Sequence, residues 1–183
     1  MGKGDSGATG GTWTGEQSGG NASLVQLAGR EVMQDIARAL NRASTSFPEV
    51  RAYANITEIQ EGDFRGSTLG TYGNGYITIQ TGLRSGTGRN SRAWVAAHET
   101  AHGLTVNAPS NYRTPEQTMR SAIREYNRAN PTARLTQAGL AGQVSNYARS
   151  SPREAISEAF ADWSVRGNRA SEASRIIMRN WRR

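Results

Sequence analysis

The chain contains no cysteine, which excludes disulfides and thiolate metal sites; any metal must be held by nitrogen and oxygen. Lysine is almost absent as well, since Lys3 is the single one, so the positive charge is carried by arginine. Aromatic residues make up 7% of the chain. No apolar run approaches a membrane span, and the N-terminus has no apolar signal core, so the sequence reads as a soluble protein without an export signal. Residues 1–21, MGKGDSGATGGTWTGEQSGGN, are rich in glycine and nearly devoid of aliphatics. They bury too little surface to offset ordering entropy and read as a flexible tail. Histidine is the last scarcity: the chain holds two, His98 and His102.

The 183 residues suit one domain with a real core, expected over residues 22–183. The net charge is +7 and the pI about 10.5. The arginines are spread along the chain without a dense block or interleaved aromatics, so they read as solvated helix faces. A nucleic-acid partner is the weaker reading of that charge.

Leu24, Leu27, Val32, Ile36 and Leu40 recur at helical spacing and predict a helix over 23–42. Val50, Ala52, Ala54 and Ile56 alternate with polar residues and predict a strand. QEGDFRGS then reads as a turn. Two short strands follow around Gly73-Asn74-Gly75, a hairpin signal, with Tyr76–Gln80 the better strand. Ser91 is placed to cap a helix over 92–105, which Pro109 ends. Further helices are expected from Thr114-Pro115-Glu116 to about Arg128, in part of 132–147, from Ser151-Pro152 to about Val165, and over 171–182. Strands grouped ahead of helices point to an α+β fold with a small antiparallel or mixed sheet and a helical C-terminal half.

His98-Glu99-Thr100-Ala101-His102 is an HExxH motif within a predicted helix. Positions i and i+4 share a face, so both imidazoles can reach one Zn2+. Glu99 points roughly 100° away around the axis, beside the metal site rather than into it. There it is placed to accept a proton from a metal-activated water and pass it to a leaving amine. The flanking Ala93, Trp94, Val95, Ala96 and Ala97 indicate a buried helix, where two bare histidines would need partners. A catalytic zinc site takes three protein ligands and a water. Lacking a third histidine and any cysteine, the chain must supply a carboxylate. Glu154, Glu158 and Asp162 share one face of a later helix, and spacing does not choose between Glu154 and Glu158. Whichever of these binds, the next is placed to hydrogen-bond a ligating histidine. Glu154 also fits a capping box with Ser151, a role that needs no metal.

SNYARSSPREAISEAF, residues 145–160, resembles the motif that follows HExxH in the lethal-factor-like zinc peptidases. That family includes the catalytic domain of anthrax lethal factor and domains of bacteriophage head-associated proteins. Tyr147, Glu154, Glu158 and Phe160 fit its register. The resemblance implies a zincin-like fold and a gluzincin-type zinc endopeptidase with His98, His102 and Glu154 as ligands. It implies that Glu99 is the general base, that Tyr147 donates to the oxyanion, and that Glu158 supports a ligating histidine. It also implies a protein or peptide substrate bound in extended form by addition to a sheet edge, for which Tyr76–Gln80 is a candidate beside its reading as a core strand. No receptor-binding or translocation segment is visible. The expected setting is therefore a phage or mobile-element protein in a bacterial cytoplasm or a virion, and the alternative function is a non-catalytic assembly protein that keeps the fold.

Overall fold

A computed structural model describes residues 34–182 other than 51–55, 57, 74 and 109, together with the strand dipeptides Trp13–Thr14 and Gln26–Leu27. The architecture is α+β. The strands are β1 (Trp13–Thr14), β2 (Gln26–Leu27), β3 (Glu58–Gly62), β4 (Gly70–Gly73) and β5 (Tyr76–Gln80). The helices are α1 (Gln34–Ser46), α2 (Arg92–Val106), α3 (Pro115–Ala129), α4 (Gln137–Val144), α5 (Pro152–Arg166) and α6 (Glu172–Trp181). Single 3-10 turns cover Tyr147–Ser150 and Gly167–Arg169.

The strands form one mixed sheet in the order β2-β1-β3-β5-β4. β3 and β5 run parallel, while β4 and β5 form the hairpin expected from the glycine-asparagine-glycine signal, with Gly73 opposite Tyr76. Gly75 sits at φ 85°, a left-handed conformation that a tight hairpin turn requires and glycine adopts without steric cost. Ile59, Ile77 and Ile79 are fully buried on the face that packs against the helices.

Two expectations for the first third of the chain are corrected. Gln26–Leu27, expected within the first helix, is strand, and the described helix is Gln34–Ser46. Val50, expected at the start of a strand over 50–59, is helical, while the strand Glu58–Gly62 keeps the last two expected residues and continues through 60–62, expected to turn. The rest of the expected 50–59 strand lies largely outside the described residues, as does Pro109. Most of the glycine-rich stretch 1–21 does too, although within it Trp13–Thr14 pairs with β2 and β3.

The helices of the C-terminal half start where local chemistry sets them. Ser91, Thr114, Thr136, Ser151 and Ser171 each accept a backbone N–H of the following first turn, satisfying donors that have no partner within the helix. Proline at the start of α3 and α5 gives up an N–H that a first turn does not need.

The core centres on α2 and α5, packed against each other. Both helices are rich in small buried residues: Ala93, Ala96, Ala97 and Ala101 in one, Ala155, Ala159 and Ala161 in the other. Small side chains let the helices approach closely, and the glutamates of α5 reach the histidines of α2. Trp181 stacks edge-on against Tyr112 and Phe160, closing the far end of this core. Asp35 of α1 pairs with Arg92 of α2 at 2.9 Å, and Arg42 donates to the carbonyls of Ser164 (3.1 Å) and Val165 (2.6 Å) at the end of α5. α1 is thereby fixed to both central helices. Among the described residues no helix is long and apolar enough to cross a membrane.

Candidate metal centre

α2 carries both histidines in a buried stretch, with His98 and Glu99 each only 7% exposed. The one-turn spacing brings His98 Nε2 and His102 Nε2 to 3.1 Å. From α5, Glu154 Oε2 lies 3.0 Å from His98 Nε2 and 3.5 Å from His102 Nε2. Three ligand-type atoms therefore converge within 3.0–3.5 Å of one another. Zinc bonds of about 2.0–2.1 Å in a tetrahedron separate neighbouring ligands by about 3.3 Å. The triangle is the size of one face of such a tetrahedron.

The chemistry of these atoms fits a cation as well. His98 Nδ1 lies 2.9 Å from Glu158 Oε1, and His102 Nδ1 lies 3.2 Å from the buried Ser157 hydroxyl. A neutral imidazole that donates from Nδ1 presents its Nε2 lone pair to the triangle. Glu154 Oε2 is buried and, although close to both rings, satisfies no hydrogen bond. Three lone-pair donors facing one another with an orphaned carboxylate oxygen are repulsive unless a proton or a metal ion stands between them.

The titration tendencies reflect the same crowding. Burial works to lower the pKa of His98, but the carboxylates of Glu154 and Glu158 outweigh it and hold the pKa at about 9. Burial likewise opposes ionisation of Glu154, yet the two imidazoles pull its carboxyl down to about 2. Glu158 is held below the usual carboxylate range, with its burial outweighed by His98, Ser145 and Trp94. Glu99 is pushed the other way, chiefly by burial, against the pull of His98 and His102. Among the described residues no arginine pairs with Glu99, Glu154 or Glu158, so the concentrated negative charge has imidazolium or an added cation as its counterion.

Two carboxylates compete for the third ligand position. His98, Glu99 and His102 offer ligand atoms within 4.8 Å of one another and could hold an ion. Glu154 is the tighter fit, since its Oε2 is within 3.5 Å of both imidazole Nε2 atoms. Glu99 lies beneath the edge strand: a Cβ at Gly70 would sit 3.2 Å from Glu99 Oε1. It flanks the triangle from the side of β4.

The remaining sequence candidates separate cleanly. Ser151 caps α5 as expected, but the Glu154 carboxylate turns to the histidines and does not complete the capping box. Glu158 sits behind His98 and also accepts from Trp94 Nε1 at 3.4 Å. Asp162 is away from the histidines, accepting from Ser171 N, Ser174 Oγ and Arg166 at the start of α6. Tyr147 stands on the 3-10 turn before α5, 59% exposed, with its ring centroid 5.9 Å from that of His98. Burial and the nearby Glu154, Glu99 and Glu158 push its hydroxyl pKa up, keeping it a proton-bearing donor. Ser157 and Trp94 were not singled out from the sequence. Ser157 has a legible signal in hindsight, a polar residue on the buried face between Glu154 and Glu158.

Glu99, His98 and Tyr147 line one cleft of about 610 Å3, together with Ser67–Gly70, Asn90 and Asn146. One wall is β4, the outermost strand of the sheet on this side. The sequence candidate for an edge, Tyr76–Gln80, is instead an interior strand paired on both sides, and the outermost strand beside the histidines among the described residues is Gly70–Gly73. A second cavity of about 390 Å3, between Phe47, Trp163 and Met178, contains no carboxylate or histidine and plays no part in this chemistry. No family model, curated protein or solved structure matches the chain.

Proposed function

We propose that the chain is a zinc-dependent endopeptidase of the gluzincin type, a member of the lethal-factor-like family with a zincin-like fold. The observation that carries this reading is the convergence of His98 Nε2, His102 Nε2 and Glu154 Oε2 at 3.0–3.5 Å beside the buried Glu99. Zinc, when bound, would polarise the carbonyl of the bond to be cut and lower the pKa of a water to about 7. His98, His102 and Glu154 would hold it. Glu158 and Ser157 fix the two imidazole rings from behind by engaging Nδ1, leaving Nε2 as the ligand atom.

The other steps belong to residues of the cleft. A peptide lies extended in the cleft beside β4, adding to the sheet where Gly70 lines the cleft next to Glu99. Glu99 takes a proton from the attacking water as the oxygen bonds to the carbonyl carbon. Its raised pKa suits that task, since a base titrating nearer neutrality also gives the proton back readily. The Tyr147 hydroxyl donates to the oxygen that gains negative charge. When the carbon–nitrogen bond breaks, Glu99 hands its proton to the departing amine, and two shorter peptides result.

The test is cleavage of a degenerate peptide library by the zinc-loaded protein, with and without chelator, beside Glu99→Gln. Chelator-sensitive cleavage, lost in a Glu99→Gln variant that still binds zinc, is the expected result. Zinc binding with no cleavage of any peptide by the parent protein would favour the non-catalytic assembly reading.

A further inference from the structure

The exposed face of α3 carries a feature unrelated to the histidine cleft. Its apolar residues Met119, Ala122 and Tyr126 are turned into the core. The opposite face carries Arg120, Arg124 and Arg128, all exposed and each one turn from the next. Arg113, Gln117, Arg120 and Arg124 together line a shallow concavity of about 270 Å3. Arg113 is fixed in place: its Nη1 donates to the carbonyls of Asn180 (2.6 Å) and Arg182 (3.2 Å), and its backbone N–H donates to Trp181 O (2.8 Å). Arg120, Arg124 and Arg128 form no ion pair among the described residues, although Glu116 stands one turn before Arg120. Glu125, the other acidic residue of α3, is engaged by Arg179 and Asn180.

A row of guanidiniums at fixed spacing that closes no ion pair costs self-repulsion, only partly offset by Glu116 and by Glu125 near Arg128. We infer that this face of α3 binds the phosphodiester backbone of duplex nucleic acid without sequence preference. Phosphates repeat their charge at a regular interval along a strand, as the arginines repeat theirs along the helix, and guanidinium matches phosphate oxygens with paired donors. The concavity has no aromatic lining, so it offers no stacking platform for unpaired bases and favours a duplex over a single strand. With its apolar residues buried, α3 presents nothing to insert into a lipid surface.

The experiment is fluorescence anisotropy of a short labelled duplex DNA titrated with the full chain across a series of salt concentrations. Four engaged guanidiniums predict a slope of log affinity against log salt of about −3.6, an affinity loss of roughly 150-fold from about 50 to about 200 mM. The variant Arg120→Gln/Arg124→Gln/Arg128→Gln keeps Arg113 and its structural bonds, and its slope should fall to about −0.9, a loss of roughly 3- to 4-fold over the same range. A control removing the same charge from other elements, Arg38→Gln/Arg84→Gln/Arg169→Gln, should retain most of the parent slope. The inference is overturned if the parent shows no binding at the lowest salt, if the control loses as much as the α3 variant, or if polyglutamate displaces the duplex at equal charge concentration.

Discussion

Gly70→Ala is the substitution whose consequence can be worked furthest from the structure. Gly70 opens the edge strand β4 directly over α2, and a Cβ there would lie 2.5 Å from Val95 Cγ1, 3.1 Å from Glu99 Cγ and 3.2 Å from Glu99 Oε1. Carbon atoms pack best at about 3.5–4.0 Å, so the Val95 contact is short by an ångström or more and the Glu99 contacts by less. Overpacking of this kind costs about 1–3 kcal/mol. For a chain of this size that lowers Tm by about 2–12 °C. The second effect is on the reaction. Relieving the clash moves β4 or Glu99, and a misplacement on the order of 1 Å costs about 10²-fold in rate. Val95→Ala removes the worse contact but leaves Glu99 crowded. The double variant Gly70→Ala/Val95→Ala should therefore be more stable than the sum of the two single losses allows, by at least about 0.5 kcal/mol, while its kcat stays low. Thermal unfolding of the four proteins, paired with kinetics on a peptide found by library screening, separates the two effects. Wild-type Tm and kcat in Gly70→Ala would refute the close approach of β4 to Glu99, and full recovery of kcat in the double variant would refute the positioning of Glu99 by Gly70.

Other outcomes follow from the same geometry. Tyr147→Phe should lower kcat by about 10²–10³-fold with zinc affinity unchanged, if its hydroxyl serves the oxyanion; equilibrium zinc competition and steady-state kinetics check both halves. Ser157→Ala, which removes the partner of His102 Nδ1, should weaken zinc about 10–100-fold without abolishing the fold, read by chelator competition and circular dichroism. The metal-free protein should lose stability as pH rises. His98 has its pKa raised from 6.5 to about 9, so its contribution is complete below 6.5 and is lost as pH climbs through 9. Tm of chelator-treated protein should fall from about pH 6 to about pH 10, the window that linkage sets. A flat profile would mean that His98 gains no charge from folding.

The parts of the molecule legible in the sequence are those fixed by neighbours along the chain. Ser91, Thr114, Ser151 and Ser171 cap helices because a hydroxyl meets an N–H three residues on. The β4–β5 hairpin follows from two turn residues between short strands, and the histidine pair from one helical turn. What escaped depends on partners far away in the chain. β3, Glu58–Gly62, carries a single buried apolar residue, Ile59, and is a strand because it pairs in parallel with β5; no local pattern marks it. Tyr76–Gln80 reads from the sequence as either a sheet edge or a core strand; its stronger alternation fits the interior strand it forms, while Gly70–Gly73 is outermost among the described strands. Glu154 and Glu158 share a helix face, and spacing alone could not rank them. The α2–α5 packing separates them by depth, with one carboxylate in front of the imidazoles and the other behind. The arginine row on α3 is local instead: Arg120, Arg124 and Arg128 recur one turn apart on a helix legible in the sequence, and the fold adds Arg113 from the turn ahead of it.

The central claim is that His98, His102 and Glu154 hold one zinc ion. It is tested most directly by a crystal structure of the zinc-reconstituted protein with anomalous diffraction recorded at the zinc edge. The account predicts a single peak at full occupancy, with His98 Nε2, His102 Nε2 and a Glu154 oxygen at about 2.0–2.2 Å and Glu99 outside the ligand set. Absence of a peak between those three side chains, or a peak ligated by Glu99 in place of Glu154, would contradict it.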